Sequence, residues 1–258
     1  MNRLFTFGCS YTNYSWPTWA DFVGLQFEHY ENWGQPGAGN YYIASRLLEC
    51  HQVNNITKDD VVLVMLSSFT RYDFINKESV FVTSGNIYSQ TYIKKNFLER
   101  YWSEEFGFHI TWFCLNSIIN LLENIGCKYK IMTGFTLKKK ELDYYMFDGR
   151  DRPRIKNGLE YIDDVLPDQN LKEFAESLKD AGEKYYEFKM GVDNHPTINM
   201  HLEWVKNFLP EFYNEKMEQN KLEWETHITK EKNEVEKYFL NNLNKLKPCD
   251  FKKKENIE

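Results

Sequence analysis

The sequence predicts an α/β unit on a parallel sheet over residues 1–210, followed by a charged helical extension over 211–258. Three observations predict it. A strand-like run, Leu4-Phe5-Thr6-Phe7, leads through Gly8 into a helix-like segment. Residues 59–66 end in an unbroken apolar run, Val61-Val62-Leu63-Val64-Met65-Leu66, of the kind found in a central parallel strand covered on both faces. Strand-like and helix-like stretches then alternate along the chain, the pattern that builds parallel sheets.

Taken in order, residues 16–27 read as the first helix, with Pro17 near its start. Residues 29–33 form a second strand. It opens into the most glycine-rich loop, Gly34-Gln35-Pro36-Gly37-Ala38-Gly39-Asn40. Neither G-x-G-x-x-G nor a Walker Lys-Ser/Thr accompanies these glycines, so a tight strand-to-helix turn is favoured over a nucleotide cradle. A helix follows over 41–50, with Ile43, Leu47 and Leu48 on one face. The strand at 59–66 ends in Ser67-Ser68-Phe69-Thr70-Arg71-Tyr72-Asp73, at the edge where open α/β sheets bind ligands. Residues 74–108 are aromatic and polar without a clear period, and read as one long excursion or lid.

A buried amphipathic helix is expected over 110–125, stopped by Gly126, and a strand over 129–133. Residues 136–184 are mixed, and the Arg150-Asp151-Arg152-Pro153-Arg154 stretch reads as a solvated loop. Residues 185–189 suggest a last short strand before a helix through Leu202, Val205, Phe208 and Leu209. Beyond residue 211 the chain is strongly charged with sparse apolar positions. It reads as peripheral helices, a candidate surface for a homo-oligomer.

Composition excludes several classes. A net charge of -6 argues against a nucleic-acid-binding surface, and no stretch reaches the ~18 apolar residues of a membrane span. Cys9, Cys50, Cys114, Cys127 and Cys249 are odd in number and contain no CxxC, which predicts neither a zinc site nor a disulfide framework. With no signal-peptide apolar region at the start, cytoplasmic synthesis is expected.

The chemistry-bearing residues lie on turns. Ser10 follows the first strand, beside a helix N-terminus whose free N–H groups can receive an oxyanion. An alcohol nucleophile needs a base, and the base needs an acceptor that fixes its tautomer. Asp193-Asn194-His195-Pro196 offers both, on a loop after the last strand. His201, six residues on, is expected on a helix surface, and Cys9 is expected to point into the core.

Those residues, in that order, resemble the SGNH/GDSL hydrolase superfamily. Gly8-Cys9-Ser10-Tyr11-Thr12 is similar to its first block, G-D-S-x-T, with Cys9 in place of Asp. Asn32-Trp33-Gly34-Gln35-Pro36-Gly37 is similar to the second, N-x-G-x-x-G, and Asp193-Asn194-His195-Pro196 to the fifth, D-x-x-H-P. The phrases Trp16-Pro17-Thr18-Trp19-Ala20-Asp21 and Asn32-Trp33-Gly34 are similar to members carried by marine bacteria and phages. The resemblance covers residues 3–209. It implies a flavodoxin-like three-layer α/β/α sandwich and an esterase with no cofactor or metal. Ser10 would be the nucleophile, His195 the general base and Asp193 its orienting carboxylate, with the N–H groups of Ser10 and Gly37 receiving the oxyanion. The implied substrate is a small acyl ester, acetyl first, on a small molecule or glycan. Aromatics of the excursion (Phe69, Tyr72, Phe74, Phe81, Tyr88, Tyr92) are candidates for stacking on sugar rings or, equally, for packing the long loop itself.

Two features depart from the family pattern. Asp193 and His195 are two residues apart, not three. The third block, G-x-N-D, has no Asn after the central strand, which leaves Asn40, Thr70 or Arg71 to supply the missing oxyanion donor or contact the substrate. O-acyl transfer by the same triad, or a binding or structural module that has lost activity, are the alternative expectations.

Overall fold

A computed structural model describes residues 3–90, 93, 95–137, 169–188 and 191–230. The Arg150–Arg154 loop, Tyr92 and everything after residue 230 lie outside the described residues. Among the described residues no helix is long and apolar enough to cross a membrane.

Among the described residues four parallel strands form the central sheet: β1 (Arg3–Phe7), β2 (His29–Asn32), β3 (Val61–Leu66) and β6 (Lys128–Thr133), in the order β2-β1-β3-β6. β1 pairs with β2 from Arg3↔His29 and with β3 from Leu4↔Val61. All six residues of β3 are buried, as the unbroken apolar run predicts for an interior strand. Because the chain crosses from β1 to β2 on one side and to β3 on the other, the C-terminal ends of β1 and β3 flank a topological switch point, where open α/β sheets place their ligands.

The helix after β1 is shorter than residues 16–27: α1 spans Trp19–Gly24. Pro17 disfavours helical backbone at Trp16, and Thr18 starts the helix with its N–H bonded to Asp21 Oδ2 at 2.9 Å. At the other end, Gln26 N–H and Phe27 N–H bond carbonyls three residues back, closing the helix. α2 (Asn40–Asn54) runs past the expected end at residue 50 and stops at Asn55 in the left-handed conformation, φ 48°.

Residues 74–108 are not one irregular excursion. β4 (Arg71–Ile75) and β5 (Phe81–Asn86) form an antiparallel hairpin. Its turn is tied by Asn76 Oδ1, which accepts the N–H groups of Glu78 and Val80. After α3 (Lys95–Tyr101), α4 (Glu104–Ile125) begins six residues ahead of the expected start at residue 110, because Ser103 caps it, with its hydroxyl accepting Phe106 N–H. Gly126, at φ 72°, ends α4 as expected.

The C-terminal part holds α5 (Leu171–Asp180), the two-residue strands β7 (Glu187–Phe188) and β8 (Gly191–Val192), α6 (Ile198–Phe208) and α7 (Lys216–Lys230). Among the described residues the strand expected at 185–189 does not join the parallel sheet: β7 pairs with β8, antiparallel, through Glu187↔Val192 and Phe188↔Gly191. α1 packs on α6, and α2 on α4. In the described part of the charged extension, Met217, Trp224 and Ile228 are buried in the same core as β1 and β3, with Trp224 against Phe22.

Candidate active site

Ser10 leaves β1 on a single helical turn: Thr12 N–H and Asn13 N–H both donate to Cys9 O, at 2.9 and 3.1 Å. The N–H groups of Ser10 and Tyr11, at the start of that turn, have no acceptor among the described residues. Cys9 is buried in the core, as expected, and Ser10 is 4% exposed. Three side chains brace the turn. Asn32 Nδ2 and Thr18 Oγ1 donate to Thr12 O at 2.7 and 2.6 Å, and Asn13 Nδ2 donates to Gly34 O at 2.8 Å. Asn32 Oδ1 also accepts Gly34 N–H, so one amide joins the serine turn to the glycine-rich loop.

His195 reaches this turn from the loop between β8 and α6. Its Nε2 accepts the Ser10 hydroxyl at 3.0 Å, and its Nδ1–H donates to Asp193 Oδ1 at 2.7 Å, the tautomer that both partners require. The short Asp-x-His spacing works because Asp193 Oδ1 also accepts His195 N–H at 2.9 Å, folding the loop back on itself. Burial raises the Asp193 carboxyl. The bonds from His195 N–H, His195 Nδ1–H and Tyr14 Oη–H outweigh burial and hold it below the usual carboxylate range. His195 is lowered, by burial first, against the raising effect of Asp193, and further by the charge of Arg71.

Tyr14 is a member of this group that the sequence reading did not single out. Its hydroxyl donates to Asp193 Oδ2 at 2.8 Å, and its ring lies on the His195 imidazole with centroids 3.8 Å apart at 21°. The carboxylate is therefore held from both oxygens, and a protonated imidazole would rest on an aromatic face. Trp16 fixes the next residue of the loop, donating from Nε1 to Pro196 O at 2.9 Å. Tyr186 holds both flanks: its carbonyl accepts Asp193 N–H, and its hydroxyl bonds Ile198 N–H. The available signal was the i, i+4 spacing of Ser10 and Tyr14, visible once residues 9–13 are taken as a helical turn.

The other expected site residues divide. Gly37, at φ 79°, has an N–H with no acceptor among the described residues, while its carbonyl accepts Gly85 N–H of β5. Asn40 does not supply an oxyanion donor. Its amide N–H groups donate to Ser67 O and Thr111 Oγ1 and its Oδ1 accepts Ser67 N–H, so the side chain ties the end of β3 to α2 and α4. Thr70 is likewise engaged locally, its hydroxyl paired with Ser68 Oγ at 2.8 Å. Arg71 faces the site, donating from Nη1 to Ala38 O at 3.1 Å.

His201 is a correction. It is 1% exposed, because α6 turns this position inward between core residues, and not on the helix surface. Burial first, then the nearby His195, lowers it to about 3, so it is neutral, and its Nδ1 has no hydrogen-bond partner. Asp73 was also unanticipated: its carboxylate accepts the N–H groups of Gly39 and Tyr42 and caps α2 from the neighbouring hairpin. Burial raises Asp73 to about 6 against those two bonds.

The described aromatics of the excursion are engaged in packing it. Tyr72 and Phe74 point away from Arg71 and Asp73, toward α3, where with Phe97 and Tyr101 they line a cavity of about 570 Å³. Phe81 packs against Tyr41 and Tyr42, and the Tyr88 hydroxyl accepts Trp102 Nε1–H. No protein-family model matches the chain, and no curated protein matches it.

Proposed function

We propose that this chain is a serine esterase of the SGNH type, folded as a flavodoxin-like three-layer α/β/α sandwich. The strand order β2-β1-β3-β6 follows the flavodoxin-like order as far as it goes, and α1 with α6 and α2 with α4 would cover the two faces. The observation that carries the function is the continuous relay Ser10–His195–Asp193–Tyr14, set at the switch point of the sheet.

In this reading Ser10 Oγ attacks the acyl carbon of a small ester, acetyl first, as its proton passes to His195 Nε2. Asp193 and the face of Tyr14 stabilise the imidazolium. The N–H groups of Ser10 and Gly37 receive the oxyanion, and loss of one such donor costs ~10²–10³ in rate. His195 then protonates the leaving alcohol. Water, deprotonated by His195, cleaves the acyl-enzyme and restores Ser10. O-acyl transfer is the same sequence with a sugar hydroxyl in place of that water.

The test is single-turnover reaction with 4-nitrophenyl acetate. Wild type should give a burst of nitrophenol that Ser10→Ala and His195→Ala both abolish. Equal rates in all three folded proteins would overturn the esterase and favour a binding module.

A further inference from the structure

Among the described residues Arg71 is an unmatched cation at the rim of this site. It begins β4, just past the C-terminal end of β3, and its Nη1 donates to the carbonyl of Ala38, the residue after Gly37. Its guanidinium lies 4.9 Å from the centre of the Phe135 ring. That ring stacks on Tyr11 at 4.8 Å, and the edge of Tyr11 meets His195 at 5.8 Å. Arg71 is thus positioned by a backbone carbonyl and a continuous aromatic wall that ends at the imidazole.

None of these contacts neutralises it. Among the described residues no carboxylate lies in ion-pair range of Arg71, and its remaining guanidinium N–H groups have no acceptor. Asp73, two residues on, has both oxygens engaged by Gly39 N–H and Tyr42 N–H at the start of α2. A half-buried cation here opposes the imidazolium that acylation must form, since its charge lowers His195. An anion bound against the guanidinium would remove that opposition, and would do so most in the transition state, when His195 is charged. A planar fork whose remaining N–H groups have no acceptor among the described residues suits a carboxylate or phosphate held by two bonds.

Resting on the esterase reading above, we infer that Arg71 selects esters that carry an anionic group, a carboxylate or its phosphate or sulfate equivalent, beside the scissile bond. The site would then act on acyl esters of acidic alcohols, such as acidic sugars, in preference to neutral ones.

Matched acetyl esters test this: 3- and 4-acetoxybenzoate against their uncharged methyl esters, with the full chain, Arg71→Gln and Arg71→Lys. Arg71→Gln should lower kcat/KM for the acetoxybenzoates by ~10-fold or more while the methyl esters change by less than about threefold, the loss expected for one charge-assisted contact. Arg71→Lys should fall between. An equal loss on charged and neutral esters would assign the guanidinium to the oxyanion and overturn the inference. So would no loss on either. If wild type, like Ser10→Ala, turns over none of the four esters, the esterase reading itself fails, and this result is distinct from turnover without charge selection.

Discussion

The turn that carries Ser10 and the loop that carries His195 hold their side chains by different means. Ser10 is fixed from close at hand: it follows an interior strand, its turn closes on Cys9 O, and the short buried side chains of Asn32 and Thr18 lock Thr12 O. The base loop lies outside the parallel sheet, with the His195 and Asp193 side chains 29% and 24% exposed. It is held largely by aromatic side chains reaching across from elsewhere, Tyr14 to Asp193, Trp16 to Pro196 and Tyr186 to Ile198. A turn locked by buried backbone and short side chains has little room to change shape. A loop held by separate aromatic side chains can be loosened one contact at a time.

Three substitutions would break or sharpen that contrast. The largest effect is expected at Gly8, where an added Cβ would meet Thr12 Oγ1 at 2.0 Å and Met65 O at 3.1 Å. Gly8→Ala should cost about 3 kcal/mol in urea denaturation, because neither a buried threonine nor a strand carbonyl can yield. Wild-type stability would show that the serine turn is as adaptable as the base loop.

Tyr14→Phe comes next. It keeps the ring on His195 but removes the bond to Asp193, and kcat/KM should fall about tenfold. Without that bond Asp193 becomes more basic and His195 holds its proton more tightly. The acid limb of the pH profile should therefore move to higher pH, a shift that simple loosening of the loop would not produce.

The smallest effect is expected at His201, on the helix that follows the base loop. Its folded value of about 3 lies below the usual 6.5, so its contribution is complete above pH 6.5 and is lost as pH falls toward 3. His201→Met should flatten the loss of stability between pH 6 and 4, read as the difference from wild type in denaturation midpoints. An unchanged slope would show that this helix does not carry the acid sensitivity of the base side.

The sequence carried the interior of the sheet well, since a strand buried on both faces must be apolar throughout, as Val61–Leu66 is. Ser10, His195 and Asp193 were legible from their combination and order on turns beside strand ends, since a serine or an aspartate on a turn is too common to stand out alone. What escaped was support from a distance. Tyr14, Trp16 and Asp73 act on residues 179, 180 and 34 positions away, and no local period encodes such a contact. Asn40 stayed open between a structural and an oxyanion role for the related reason that a buried amide satisfies either a backbone or a substrate, and only the fold shows it bonded to Ser67 and Thr111. The hairpin at 71–86 was missed because its short strands carry no clean apolar alternation.

The hydrogen bond between Ser10 and His195 spans 185 residues of chain. A ribosome adds that length in about 10–40 s, during which the growing chain holds Ser10 without His195. The pair can therefore form only late in synthesis, once the loop ahead of α6 has been made. A fragment cut anywhere between the two residues and parted from its other half cannot make that hydrogen bond.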